Sequence, residues 1–178
     1  KYVFASSGAN KIQIQGGYFA DKKNRSGESW IASGNADYPW TITNASTSVS
    51  NYNELLQAIA DANSGENKRI LVSANITGTE GKSIIIPAGV NITFDMSGKK
   101  IVNPVKGGAA IINNGSATFT NGILLNGNTE AQESSVVYNT GSLVLDNMTC
   151  GSVDNRGAAV VNKGGEVTII GGVYNSID

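Results

Sequence analysis

No histidine occurs anywhere in this chain, and cysteine occurs once, at Cys150. The first absence removes the commonest general base and transition-metal ligand; the second removes any internal disulfide or thiolate cluster. Cys150 has no imidazole to activate it, so a buried, inert thiol is expected there. Charged side chains are also scarce, at 15% against about 25% in a typical domain. The 13 basic and 14 acidic residues form no long run of either sign. Lys22-Lys23 with Arg25 and Lys99-Lys100 are the longest basic clusters, and both read as solvated. Nucleic acid and anionic membrane each need a basic patch, so neither is expected as a main partner. No apolar stretch approaches the roughly 18 residues of a membrane span.

What the chain has in abundance is asparagine (21) and glycine (22), about a quarter of its 178 residues. Both are turn residues, while an apolar fraction of 40% is too high for disorder. Three stretches align with one another: AAIINNGSATFTNGILLNG (109–127), SVVYNTGSLVLDNMTCG (135–151) and AAVVNKGGEVTIIGGVYN (158–175). Each opens with an apolar pair or triplet and an Asn, at Asn113, Asn139 and Asn162. Each then shows a Gly two residues on, at Gly115, Gly141 and Gly164, and a second alternating strand. Upstream, VNITFDMSGKKIV (90–102) resembles the second half of such a unit, with Phe94 in the slot of Phe119 and Leu145.

Units of 23–26 residues, each with short strands and tight bends, are too short for propeller blades and lack a leucine-repeat consensus. They suit the coils of a parallel β-helix, in which equivalent residues of successive coils stack about 4.8 Å apart. Asn tolerates the left-handed backbone of a sharp bend, and its amide can bond to the Asn one coil away. Asn113, Asn139 and Asn162 are therefore assigned to a structural ladder. An antiparallel sandwich is the competing fold, suggested by the Asn-Gly pairs at 114–115, 121–122 and 126–127.

One helix is expected over 51–63, with Asn51 as N-cap, Glu54 completing an approximate capping box, and Gly65 as the stop. Its apolar stripe of Leu55, Leu56, Ile59 and Ala60 fits a lid over the open end of the cylinder. Residues 21–48 are polar and turn-rich, a connector with a short strand near Trp40. The phrase IQIQGGYFA (12–20) echoes VTIIGGVYN (167–175). Residues 1–48 thus read as the closing rung and irregular arm of a preceding unit, and 49–178 as a unit starting at its helix. The first rung is then expected to pair onto an exposed coil end.

These features together resemble right-handed parallel β-helix proteins of the pectate-lyase-like kind, as found in large secreted or cell-surface proteins of gut-type bacteria. The resemblance implies an all-β solenoid with one N-terminal capping helix, secreted or surface-exposed, next to neighbouring units of a parent chain. Many such proteins are non-catalytic.

Chemistry would need carboxylates that converge: an acidic cluster holding Ca²⁺ beside a basic residue, or a carboxylate pair about 5–10 Å apart. Asp95 and Asp146 share a slot two coils apart, with Thr120 between, and roughly 10 Å of separation leaves them without a third acid. Asp95 fits better as an acceptor in the turn after it. Glu130 and Glu133 in one loop and Asp154 and Arg156 in the next are the candidate catalytic set, because loops on successive coils can meet. Trp30, Tyr38 and Trp40 are the candidate aromatic platform for a sugar face. Six Asn-x-Ser/Thr sequons carry little information in so Asn-rich a chain.

The favoured reading is a non-catalytic module serving as stalk, adhesion segment or carbohydrate-contacting surface, without cofactor, for which a polysaccharide or surface glycan is the expected partner. The alternative is a polysaccharide lyase or glycoside hydrolase acting on an acidic polysaccharide through the loop carboxylates, with Ca²⁺.

Overall fold

The structure, a computed structural model, describes residues 18–19, 28–32, 40–44, 46–79, 81–129, 134–153 and 157–175. The chain divides into two units, Lys1–Ala45 and Ser46–Asp178.

The described part of the first unit is a three-stranded antiparallel sheet of β1 (Tyr18–Phe19), β2 (Glu28–Ala32) and β3 (Trp40–Asn44), in the order β1-β3-β2. β3 is the short strand expected near Trp40. Tyr18 lies opposite Thr41 and Phe19 opposite Trp40. For these two residues the expected parallel rung is corrected to an antiparallel pair. An antiparallel partner can be reached through a turn-rich connection, whereas a parallel rung must follow a full crossover.

The second unit runs through β4 (Ser46–Val49), α1 (Tyr52–Ala60), β5 (Asn67–Val72), β6 (Ile76–Thr77), β7 (Ile84–Ile86), β8 (Asn91–Asp95), β9 (Lys100–Val102), β10 (Ile111–Asn113), β11 (Ser116–Asn126), β12 (Val137–Asn139), β13 (Ser142–Ser152), β14 (Val160–Asn162) and β15 (Glu166–Tyr174). Every pairing between these strands is parallel. One face is β7-β10-β12-β14, and the next is β4-β5-β8-β11-β13-β15. The second halves of β11, β13 and β15 form a third face with β6 and β9. This is a parallel β-solenoid of about five turns, and the antiparallel-sandwich expectation falls. Its three Asn-Gly pairs turn out to be coil bends: one follows β10, one lies inside β11, and one ends it.

The bend inside the long strands follows from backbone chemistry. Asn121 (φ 54°) and Asn147 (φ 52°) adopt the left-handed conformation that Asn tolerates, and Gly171 (φ 70°) takes the equivalent place in β15. The next residue points inward, where a Cβ on Gly172 would lie 2.1 Å from the Met148 carbonyl oxygen. The double glycine of the last coil is thus a bend residue followed by a close backbone approach.

Inside the cylinder, inward residues stack in columns. Ile70, Phe94, Phe119, Leu145 and Ile169 succeed one another in register, as the Phe94 slot predicted. The Phe94 and Phe119 rings lie 4.4 Å apart and 4° from parallel, a geometry the parallel register imposes. Each such side chain fully buried contributes about 1.5–3 kcal/mol.

The helix is capped by Asn51, whose side-chain oxygen accepts the Glu54 N–H at 3.0 Å. The Glu54 carboxylate reaches back to Ser50, accepting its N–H at 2.7 Å and its hydroxyl at 2.9 Å, so the box closes one residue earlier than expected. These donors hold the Glu54 carboxyl below its usual range. The helix stops at Asp61, whose N–H reaches Gln57 and Ile59 carbonyls. Gly65 therefore does not end it; its N–H pairs with the Gly89 carbonyl in the first coil. Tyr52, Leu55, Ala58 and Ile59 are the buried face, Leu56 is half-buried and Ala60 exposed. Leu55 and Ile59 converge with Ile84, Ile86, Phe94 and Ile101, which closes the N-terminal end of the solenoid as a lid should.

Candidate functional site

The predicted ladder exists. The Asn113 side-chain amide donates to the Asn139 side-chain oxygen at 2.7 Å, and the Asn139 amide to that of Asn162 at 2.9 Å. The same amides secure the bend below each long strand: Asn113 donates to the Ser142 carbonyl, Asn139 to those of Gly141 and Glu166. Asn113 and Asn139 are fully buried, so each unmade bond would carry a desolvation cost of about 1–3 kcal/mol. The glycine slot is corrected in the last coil. Ser116, Ser142 and Glu166 are in register, which aligns Gly115, Gly141 and Gly165 rather than Gly164. Gly164 (φ 88°) is one extra bend residue. A Cβ on Gly141 would reach within 1.9 Å of the Gly115 carbonyl oxygen, so this column admits no side chain.

A second buried Asn column escaped the sequence reading. Asn126 ends β11 and Asn103 directly follows β9, which pairs with β11 on the third face, and both are fully buried. The Asn126 amide donates to the carbonyls of Val105, Gly108 and Ser135, and its oxygen accepts the N–H groups of Val105 and Asn128. Asn103 donates to the carbonyls of Lys82 and Ala110. These amides fasten the end of one coil to the start of the next. Their sequence signal is a short apolar run ending in Asn, ILLN at 123–126 and IVN at 101–103.

That corner carries the candidate loops. β11 ends at Asn126 and β13 at Ser152, and these two residues are in register on adjacent coils. The loops of Glu130 with Glu133 and of Asp154 with Arg156 are therefore rooted side by side. The four residues themselves lie outside the described residues. The first loop is pinched at its base, where the Asn128 amide donates to the Ser134 hydroxyl at 3.0 Å. Tyr38 also lies outside the described residues. Trp30 sits opposite Ile42 and Trp40 opposite Ala32, so the tryptophan backbones take diagonal places in the first unit's sheet.

Asp95 and Asp146 occupy one column with Thr120 between them, as read from the sequence. Asp95 accepts the Ser97 N–H at 3.1 Å and hydroxyl at 3.0 Å, the turn role expected of it, and lies 4.0 Å from Arg69. Among the described residues no three His, Cys, Asp or Glu side chains gather in a metal-binding group, and no helix is long and apolar enough to cross a membrane. Cys150 is buried, and desolvation pushes its thiol up to about 12.

Two of the three faces carry regular outward columns. On β5, β8, β11, β13 and β15 three columns face outward: Asn67, Asn91, Ser116, Ser142 and Glu166; Arg69, Thr93, Thr118, Val144 and Thr168; and Leu71, Asp95, Thr120, Asp146 and Ile170. Eight of these fifteen residues are Asn, Ser or Thr, three are acidic and Arg69 alone is basic, and the columns repeat at the inter-strand spacing of about 4.8 Å. On β7, β10, β12 and β14 the outward column is Ile85, Ile112, Tyr138 and Val161, an apolar stripe with Ile85 53% exposed. Its signal lay in the apolar middle residue of each strand, where alternation would have placed a polar one.

These columns, corners and lid define the class: a parallel β-solenoid with, among the described residues, a single helix near its start and with buried asparagine ladders. No family model matches the chain, and neither does any curated protein or solved structure.

Proposed function

We propose that the solenoid is a non-catalytic presentation module of a secreted or cell-surface bacterial protein, of pectate-lyase-like kind, and that it contacts neutral carbohydrate. One observation carries the reading: the coils hold a face on which eight of fifteen outward residues are Asn, Ser or Thr, and two side-by-side loop roots, at fixed spacing. Sugar hydroxyls are donors and acceptors without charge, and a preorganised row of hydroxyls and amides pairs with them at little entropic cost. The scarcity of basic side chains on this face disfavours a polyanion.

A glycan array tests this. Neutral glycans should give hits that Thr93→Ala combined with Thr118→Ala weakens, or that Trp30→Ala or Trp40→Ala weakens if the first unit contributes. Silence across the array sinks carbohydrate contact. The enzyme alternative has its own readout: acidic polysaccharide with Ca²⁺ should then yield unsaturated products or reducing ends, which Glu130→Ala or Asp154→Ala abolishes.

A further inference from the structure

The first and the last described strands of the solenoid are built differently. At the N-terminal end the edge strand β4 is four residues long, begins Ser-Thr-Ser, and lies next to a helix whose apolar face is buried on the core. Short polar edges and covering helices are how β-proteins avoid pairing with other chains. Among the described residues, β15 has none of these devices beside it. β15 is nine residues long, carries a single charged residue, Glu166, and exposes Ile169 (36%), Ile170 (54%) and Val173 (65%). Val167, Ile169 and Tyr174 stand directly above Leu143, Leu145 and Cys150, so they form the top layer of the core columns.

We infer that this end is a docking edge for one further parallel coil of the chain's own pattern. The surface is continuous with the contact already made between every pair of coils here. The Asn ladder adds a polarity: each amide donates upward, from Asn113 to Asn139 and from Asn139 to Asn162. Asn113 and Asn139 each give one further bond to a backbone carbonyl of the coil above, at Ser142 and Glu166. Asn162 donates to Gly165 of its own coil, so the upward bonds are the ones a new coil would supply. Its chemistry follows from the register. An Asn falls above Asn162, a Gly above Gly165, and apolar residues above Val160, Val167 and Ile169. A second copy stacked head to tail would present α1 and β4, which have no asparagine in that column. Two copies joined by a two-fold axis would set amide donors against amide donors. Docking of a coil uses neither the loops nor the polar face, so it stands apart from carbohydrate contact.

The experiment adds a synthetic peptide of residues 157–175 to the full chain and follows amide hydrogen exchange. Protection confined to β14 and β15, saturating with peptide, is expected. A peptide with Asn162→Leu should bind roughly tenfold more weakly, the worth of one buried hydrogen bond. The chain variant Ile169→Lys should abolish protection while the melting temperature falls little, since that site is already partly exposed. A second form of the test joins another copy of residues 157–175 after residue 178, which should raise the melting temperature and protect the original β15. The proposal is overturned if neither form protects β15, if a scrambled peptide protects it equally, or if β15 is protected by self-association of the chain alone.

Discussion

Asn113 and Ile86 are aligned partners on adjacent strands, and the ladder ends between them. Asn113 has a donor target above but only a hydrocarbon below, and its buried side-chain oxygen has no hydrogen-bond partner. Ile86→Asn would place an amide donor beneath that oxygen, with the polarity the rest of the ladder already has. The cost of losing a core isoleucine should then be offset by about 1–3 kcal/mol from satisfying the orphan. Ile84→Asn on the same strand faces Ile111 and gains no such partner. Urea unfolding should therefore show Ile86→Asn to be the milder variant; equal losses would mean the orphan is not felt.

Asn139 is the middle rung and should be the most costly of the three ladder asparagines to remove. It accepts from Asn113 and donates to Asn162, Gly141 and Glu166. Asn139→Leu leaves several buried groups unpaired, for a loss of about 3 kcal/mol or more. Asn162→Leu, half-exposed on the last coil, should cost about 1 kcal/mol. Denaturation midpoints that rank the two the other way would contradict a ladder whose strength comes from burial.

The bend column makes a conformational prediction. Asn121 and Asn147 hold φ near 50° as ordinary residues, and the Asn147 amide donates to the Asn121 side-chain oxygen at 3.0 Å. Gly171→Asn should then be tolerated within about 0.5 kcal/mol, whereas Gly171→Val should cost about 1–2 kcal/mol or more, because a β-branched residue resists positive φ. Thermal melts of the two variants decide it.

Two titrations act in opposite directions. The folded state holds the Cys150 proton more tightly, raising the thiol from 9.0 to about 12. Stability should thus be unaffected well below pH 9 and fall as the pH climbs from there towards 12. Native chain at pH 8 should not react with a thiol reagent until unfolded. Glu54 is shifted the other way, by the Ser50 backbone and hydroxyl donors. Its contribution is present above the ordinary carboxylate range and is lost as the pH drops through the lower folded value. Glu54→Gln should therefore remove that acid dependence of α1, read by circular dichroism.

Much of this architecture was legible because each coil repeats its instructions. Apolar alternation set the inward columns, and Asn113, Asn139 and Asn162 betrayed the ladder by falling at coil-length intervals. Phe94 and Phe119 hold matching places in VNITFD and GSATFT. Position within a coil was less legible. Gly164 and Gly165 are identical as letters, and only the register of Glu166 with Ser142 shows which one stacks. The buried role of Asn103 and Asn126 was hidden for a related reason: an Asn at a strand end reads as a solvated turn until a neighbouring coil covers it.

By itself, then, the sequence determined the coil, because short-range alternation and bend chemistry act within some twenty-five residues and need no knowledge of the neighbours. The tertiary structure alone decided what each coil meets: that Asn113 meets an isoleucine below, that the Asn126 and Ser152 corners carry loops from adjacent turns, and that Tyr18–Phe19 pair antiparallel with β3. Those facts depend on which residue lies one turn away, and the energy that selects the register is shared across a whole stack rather than written in any one segment.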